Sequence, residues 1–186
     1  MQVRCFPLTQ RFGKRAKLKE ILFMLHSEVV VRSKGTIEGN GLFATHYLPK
    51  ETLIWQLRET NFTWAEVETW QGERLSAFKK YGFQCGVNRF SLPMGASREM
   101  NHSCDPSTWW DSRGRLIARH DIFTDDEITY DYSSCDIDLV FEMVCHCGSP
   151  RCRRKISNKD YLDFKWQQQY GLNLPPHVLA AIENTQ

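Results

Sequence analysis

Three cysteines close together in the last third of the chain constrain its possible folds more than any other sequence feature. Cys145, Cys147 and Cys152 form a C-x-C-x4-C pattern. Three thiolates in so short a segment supply most of a tetrahedral zinc site, and the fourth ligand must come from elsewhere. The chain has seven cysteines, an odd number, and no segment typical of a signal peptide. Metal binding is therefore favoured over the alternative, a disulfide plus a free thiol.

A second informative stretch is residues 100–106, which read MNHSCDP. Asn101 and His102 carry donors and acceptors suited to binding a polar ligand. Cys104 offers a further soft metal ligand, and Asp105 is pushed out of the helical region by the proline that follows it. The alternative interpretation is a polar turn that contains an ordinary buried cysteine.

Two other motifs are weaker when taken alone. The run Gly39-Asn40-Gly41 lets the backbone approach a charged small molecule closely. It does not match a dinucleotide-binding fingerprint, which needs a third glycine opening a helix. Tyr130 and Tyr132 flank an aspartate, and aromatic residues in this spacing are also typical of one face of a strand.

In this order, and over residues 28–155, these motifs resemble the SET-domain family of protein-lysine methyltransferases, with a post-SET zinc-binding cysteine cluster. The resemblance implies an α+β, β-rich fold. Several small sheets of short strands, a knot-like threading near the C-terminus and C-terminal helices are expected.

The resemblance also implies ligands and the residues that hold them. Gly39, Asn40 and Gly41 would hold the methionine part of S-adenosyl-L-methionine through main-chain groups. Asn101 and His102 would hold its adenine end, with His146 nearby. These six positions are set by the family pattern, not by spacing alone.

The family pattern also names Cys104 as the fourth ligand of a structural Zn²⁺ ion, beside Cys145, Cys147 and Cys152. This would tie the cofactor-binding stretch to the C-terminal segment. The basic residues around the last cysteine have a simpler interpretation as a solvated face, since basic residues are common on protein surfaces. They are Arg151, Arg153, Arg154 and Lys155.

Methyl transfer to lysine gives the two tyrosines a chemical role. A lysine amine has a reference pKa of ~10.4, so the neutral nucleophile is scarce at pH 7. A buried aromatic channel disfavours the ammonium form, and hydroxyl groups can orient the free amine. The resemblance assigns catalysis to Tyr132. It assigns to Tyr130 the position that limits how many methyl groups fit, where tyrosine goes with monomethylation.

The chain departs from the family pattern at Leu57, where many active members carry a tyrosine. Trp55, Tyr81 or Phe83 could occupy the space of the missing side chain. The departure keeps open an alternative from a different class, a catalytically weak SET-like domain that binds a peptide or the cofactor.

Charge and composition bear on partners and location. The net charge of +2 does not favour bulk nucleic-acid binding. A small zinc-dependent nucleic-acid-binding module would leave the tyrosines and the glycine run unexplained. The apolar run at residues 21–25 is too short to cross a membrane. We expect an intracellular protein, nuclear or cytoplasmic, whose partner is a protein or peptide that presents a lysine.

The sequence predicts four segments. They are a basic N-terminal extension over residues 1–27, a SET domain over 28–135, a post-SET segment over 136–157 and a helical segment over 158–186. The predicted elements within them are helices over 14–25, 63–81, 157–170 and 175–182, strands over 28–32, 52–56 and 128–132, and a hairpin over 109–118.

Overall fold

The computed structural model describes residues 24–33, 35–57 and 61–185. Short strands are the most numerous elements of this part. They are β1 (Met24–Leu25), β2 (Val29–Ser33), β3 (Asn40–Ala44), β4 (Leu53–Gln56), β5 (Phe83–Gly86), β6 (Arg89–Ser91), β7 (Asn101–His102), β8 (Thr108–Trp110), β9 (Leu116–Ala118), β10 (Glu127–Tyr130), β11 (Glu142–Val144) and β12 (Lys155–Ser157). The helices are α1 (Trp64–Glu68), α2 (Gly72–Tyr81), α3 (Phe164–Tyr170) and α4 (Pro176–Glu183), with 3-10 turns at Gly95–Glu99, Tyr132–Ser134 and Asp160–Leu162.

Two four-stranded sheets and two hairpins organise these strands. The first sheet has the order β1-β4-β9-β8 and the second has the order β2-β3-β10-β7. In the second sheet β10 runs parallel to β7, with Thr129 opposite Asn101 and Tyr130 opposite His102. This register places the tyrosine strand directly beside the Asn-His pair.

The main hydrophobic core draws side chains from both four-stranded sheets. Leu42 of β3, Ile54 of β4 and Ile128 of β10 have no exposed surface. Leu116 of β9 and Trp55 of β4 belong to the same buried cluster. Removing this much apolar surface from water is the main stabilising contribution, because each such side chain contributes roughly 1.5–3 kcal/mol.

The predicted capping box is present at the start of α1. The Glu66 N–H donates to the Thr63 hydroxyl, and the Glu66 carboxylate accepts from the Thr63 N–H. The helix predicted to run on to residue 81 is two helices instead. Gln71 is extended, and Gly72 has φ +57°, a left-handed conformation that glycine adopts at little cost. The chain therefore turns before α2 begins.

Two further element predictions need correction. The helix predicted over residues 157–170 is α only at Phe164–Tyr170, where the Asp163 carboxylate accepts the Trp166 N–H and caps the first turn. Ser157 instead ends β12. Tyr132 lies in a 3-10 turn just after β10 and not in the strand itself.

The remaining predictions are located as follows. The helix over 14–25 falls outside the described residues except for Met24–Leu25, which pair with β4 as strand β1. Gly171 ends α3 and the last helix starts at Pro176, as expected. The predicted α+β, β-rich fold with C-terminal helices is confirmed. Within the described residues, no helix combines the length and apolar character needed to cross a membrane.

Candidate active site and metal centre

Cys104, Cys145, Cys147 and Cys152 come together although they are distant in the sequence. Their four Sγ atoms lie within 4.8 Å of one another. The Sγ atoms of Cys104 and Cys145 are 3.6 Å apart, whereas a disulfide requires about 2.05 Å. A tetrahedral zinc ion with Zn–S bonds of about 2.3 Å places its sulfurs about 3.8 Å apart. The four thiols thus fit a zinc ion and are not paired in disulfides.

Backbone N–H groups point at the sulfurs of this cluster. Arg153 N donates to Cys104 Sγ at 3.4 Å, Cys147 N to Cys145 Sγ at 3.4 Å and Cys104 N to Cys147 Sγ at 3.5 Å. Burial raises the pKa of Cys145 to about 11. Burial acts the same way on Cys147, but hydrogen bonds from Cys104 and Ser149 outweigh it and hold that pKa at about 6. Such donors stabilise thiolate ligands of a metal.

His102 connects the cysteine cluster to the tyrosine segment. Burial lowers its pKa to about 4, so the ring is neutral near pH 7. Tyr132 N donates to His102 Nδ1 at 3.2 Å, which leaves the proton on Nε2. That nitrogen lies 3.3 Å from Cys104 Sγ. One side chain therefore contacts both the segment with the tyrosines and a candidate zinc ligand.

Asn101 holds the glycine run against β10. Its Nδ2 donates to Glu38 O and Asn40 O, each at 2.9 Å, and to Glu127 Oε1 at 2.7 Å. A Cβ on Gly41 would lie 2.5 Å from the same Glu127 oxygen, so a larger residue here would displace this carboxylate. The space beside Gly41 is thus occupied by the Glu127 carboxylate.

Glu127 is a site residue to which the sequence analysis gave no role. Its carboxylate also accepts the N–H and the hydroxyl of Thr36, on the loop before β3. One signal was present in the sequence. Glu127 lies two residues before Thr129, and alternate residues of a strand share a face. The parallel pairing that brings Asn101 opposite Thr129 is set by the tertiary fold, so the contact could not be inferred in advance.

A small cavity lies between the Asn-His pair and the cysteine segment. It is lined by Ile37, Glu38, Asn101, His102, Tyr132, Met143, Val144, Cys145 and His146. It therefore unites Asn101, His102 and His146, while Asn40 adjoins it through its hydrogen bond to Asn101. Its volume is about 30 Å³, room for roughly one water molecule.

A much larger cleft of about 650 Å³ also borders Tyr132. Tyr130 and Tyr132 both line it, with ring centroids 4.9 Å apart, and burial raises the pKa of each hydroxyl. Tyr132 donates to the carbonyl oxygen of Met100 at 2.9 Å. Tyr132 and Met143 line both the cleft and the small cavity. The two spaces thus share these two side chains.

The residues considered for the missing family tyrosine take different places. Leu57 lines a separate cavity of about 300 Å³, together with Trp55 and Phe83. Tyr81, at the end of α2, lines the large cleft with Tyr130. Of these candidates, Tyr81 is the one whose hydroxyl group can be directed into the cleft.

The basic residues after the last cysteine are partly engaged in ion pairs. Arg153 binds Asp131 at 2.7 Å, and Lys155 binds Glu142 at 2.8 Å across the β11–β12 hairpin. The first pair is largely buried and the second is exposed. Arg151 also lies 3.8 Å from Asp105, so three of the four basic side chains around the last cysteine pair with acids of the same chain.

Comparison with known proteins gives one family match and several partial relatives. Residues 39–133 match the model of the SET domain. The chain is 28% identical over 169 residues to the histone-lysine N-methyltransferase trr of Drosophila melanogaster. It is 34% identical over 91 residues to the histone-lysine N-methyltransferase ASHH3 of Arabidopsis thaliana and 33% identical over 89 residues to the methyltransferase flvH of Aspergillus flavus.

The alignments cover different shares of the chains. They include 82%, 45% and 46% of this chain, and 7%, 24% and 49% of the Drosophila, Arabidopsis and Aspergillus proteins. The chain thus spans less than half the length of each of these relatives. The matched residues 39–133 hold the glycine run, the Asn-His pair and both tyrosines, and end before the last three cysteines.

Proposed function

The chain belongs to the SET-domain family, and we propose that it is an S-adenosylmethionine-dependent protein-lysine N-methyltransferase with a structural zinc ion. One observation carries the proposal. Tyr132 and Met143 border both a small cavity lined by Asn101 and His102 and a large, mainly apolar cleft. Methyl transfer from sulfur to nitrogen proceeds in line, so donor and acceptor must approach from opposite sides. Two spaces that meet at one tyrosine fit this requirement.

The small cavity has the groups to hold the cofactor. Asn101 and the neutral ring of His102 offer hydrogen-bonding groups for a nucleoside, and His146 lies at the edge. The backbone of Gly39, Asn40 and Gly41 adjoins Asn101. When bound there, S-adenosylmethionine would supply an electrophilic methyl group. The chain's own groups would orient the two reactants and exclude water from between them.

The large cleft has the groups to hold an aliphatic amine. Burial keeps the hydroxyl of Tyr132 protonated near neutral pH, so it acts as a hydrogen-bonding group and not as a base. Tyr130 packs with its ring edge against Trp110 at 6.3 Å, which narrows the space beside the amine. We infer monomethylation from this narrowing.

The zinc ion would hold the wall of the site together. Cys104 follows the Asn-His pair, whereas Cys145, Cys147 and Cys152 follow Met143. A metal bound by all four would fix both sides of the small cavity relative to each other. Its proposed role is structural, since four protein ligands leave no open coordination position.

The function is tested by incubating the purified protein with radiolabelled S-adenosylmethionine and a protein extract, and then mapping the label by mass spectrometry. We expect label on lysine side chains. Tyr132→Phe is the matched control, because it keeps the ring and removes the hydroxyl. Its turnover should fall at least ~100-fold while cofactor affinity changes little.

A second function, a SET-like domain that binds a peptide or the cofactor without efficient transfer, is favoured by Leu57. That side chain lines a different cavity from the tyrosines and carries no hydroxyl. Normal binding of S-adenosylmethionine with no label on any protein in the extract would establish this alternative and refute the enzymatic proposal.

A further inference from the structure

Asp136 is a buried acid at the large cleft, and the methyl transfer proposed above gives it no role. Its side chain is 7% exposed, and it lines the cleft together with Tyr130 and Tyr132. We propose that Asp136 is a catalytic residue that binds the substrate amine and accepts its proton. This inference rests on the proposed methyl transfer and names the group that prepares the nucleophile.

The hydrogen bonds of Asp136 leave one oxygen available. Oδ1 accepts the N–H of Gln84 at 2.5 Å. Oδ2 accepts no hydrogen bond from the described residues, and solvent can reach it. The cleft is the space that the residue lines. A nearly buried carboxyl with one free oxygen at a cleft is suited to bind a donor that enters from it.

Neighbouring Asp138 also lines the cleft but differs from Asp136 in burial. It is exposed, and its carboxylate accepts Gln84 Nε2 at 2.6 Å. The side-chain oxygen of Gln84 in turn accepts the N–H groups of Ile137 and Asp138. Gln84 is fully buried and fixes the backbone that carries both acids. Asp138 therefore shares the cleft and the Gln84 contact but lacks the buried, available oxygen.

Burial dominates the ionisation of Asp136. It raises the pKa to about 8, and the opposing effect of the Gln84 N–H is smaller. The titratable groups behind or beside it are Cys85, Tyr130 and Cys135. The charged groups around the same cleft are Lys79, Lys80, Arg98, Asp138 and Glu142, and its other two tyrosines are Tyr81 and Tyr132. A base whose pKa lies near the working pH is the most effective one for proton removal.

The proposed reaction has two steps, a proton transfer and then the methyl transfer. The substrate ammonium gives one N–H proton to the Asp136 carboxylate, which leaves a neutral amine and a neutral carboxylic acid. The bound ion pair is the resting form, and the neutral pair forms from it just before methyl transfer. The nitrogen lone pair then forms the new N–CH₃ bond as the S–CH₃ bond breaks and its electron pair stays on sulfur. The methylated ammonium carries the positive charge away, and Asp136 releases its proton to solvent.

Amine binding tests the proposal without the cofactor. The probe is n-butylamine, which has the alkyl chain and amine of a lysine side chain. Titration of the wild-type protein, followed by the carboxyl ¹³C resonance of Asp136, should show its pKa lowered by about 1–3 pH units when the probe binds. Asp136→Asn keeps the oxygen that accepts the Gln84 N–H and should bind the probe at least ~10-fold more weakly. Asp125→Asn, which changes an exposed acid outside the cleft, should bind it like wild type.

The pH profile of transfer tests the proton step. At pH 7, kcat/KM of Asp136→Asn should be ~100-fold below wild type. It should recover towards wild type near pH 10, where solvent alone deprotonates an amine of pKa ~10.4. A residue with a merely structural role would lower kcat/KM by one factor at every pH. Asp125→Asn should retain the wild-type profile, since Asp125 is exposed and does not line the cleft.

Two results would overturn the role of Asp136. One is a carboxyl pKa that does not respond to n-butylamine in wild type. The other is a loss of kcat/KM in Asp136→Asn that is the same at pH 7 and pH 10. Both are distinct from failure of the proposed function, in which wild type labels no protein. The ¹³C titration still decides whether Asp136 binds an amine in that case, because it needs neither cofactor nor turnover.

Discussion

At the scale of single residues, Tyr130 and Tyr132 are similar in type but differ in their contacts. The Tyr132 hydroxyl donates to Met100 O, and its ring lies 5.3 Å from His102. Tyr130 instead packs edge-on against Trp110 and lines the smaller cavity behind the cleft as well. Tyr132 thus contacts the segment of the Asn-His pair, whereas Tyr130 contacts Trp110 of β8.

This difference predicts the result of Tyr130→Phe. Loss of the hydroxyl widens the amine end of the cleft without removing the Tyr132 hydroxyl, so activity should persist. The product should shift from monomethyl-lysine towards dimethyl-lysine, as measured by mass spectrometry of a labelled peptide. Tyr132→Phe is the control and should lose activity without changing the product. An unchanged ratio of products in Tyr130→Phe would refute the assignment of Tyr130.

Residue type together with the resemblance to the SET family selected most of the candidate site residues. Cysteines in a short pattern, an Asn-His pair and two tyrosines are recognisable because their side chains have few other roles in such combinations. Glu127 and Asp136 are not recognisable in this way, because acidic residues are common on surfaces. What distinguishes them is a contact with Asn101 in one case and with Gln84 in the other. Both contacts are long-range, so they depend on the folded chain.

At the scale of elements, strand β7 and the segment around β11 meet at the cysteine cluster. Cys104 follows β7 by two residues, and Cys145 follows β11 directly. His102 contacts Cys104 through Nε2, and it also lines the small cavity. Metal binding and cofactor binding are therefore expected to depend on each other.

Cys104→Ser tests this dependence. The purified wild type should hold about one zinc ion per chain by elemental analysis, and the variant should lose most of it. Calorimetry should show weaker binding of S-adenosylmethionine to the variant, because the metal no longer fixes one side of the cavity. Cys85→Ser is the control, since Cys85 lies outside the cluster. Retention of zinc by the variant, or loss of zinc with unchanged cofactor affinity, would contradict the coupling.

Most elements were predictable from local patterns, and the exceptions have identifiable causes. The capping box at Thr63 and the stop at Gly171 are local chemistry and appear as expected. The break before α2 was missed because the apolar spacing continues across Gly72, while the backbone there turns left-handed. The pairing order of the strands was not predictable, because it is set by contacts between residues far apart in the sequence.

At the scale of the whole molecule, Asp131 joins three parts of the structure. It lies between the two tyrosines and is 1% exposed. Arg153, beside the last cysteine, donates to both of its oxygens at 2.7 and 2.8 Å. Trp166 Nε1 and the Tyr170 hydroxyl of α3 donate to Oδ2 at 3.1 and 2.7 Å. The tyrosine segment, the cysteine segment and the C-terminal helix thus share one carboxylate.

Asp131→Asn should therefore destabilise the whole fold. Removing one partner of a buried ion pair costs about 3–5 kcal/mol. Arg153 keeps a contact with Asp160 at 3.0 Å and is partly exposed. We therefore expect the free energy of unfolding to fall by about 3 kcal/mol, the lower end of that range. For a chain of this size that lowers Tm by roughly 6–12 °C. Asp125→Asn is the control, since its exposed pair with Arg32 contributes only about 0.2–1 kcal/mol.

The pH dependence gives the same prediction a second measurement. Burial opposes ionisation of Asp131, but hydrogen bonds from Arg153 outweigh it and hold the pKa below its usual value of 3.8. The folded state therefore binds the proton less tightly than the unfolded state, and this carboxylate stabilises the fold fully above about pH 4. That contribution is lost as the pH falls through the folded pKa. In thermal melts, the difference in Tm between wild type and Asp131→Asn should be constant from pH 5 to 7 and should narrow below pH 4. A gap that widens on acidification would show that Asp131 does not act through its charge.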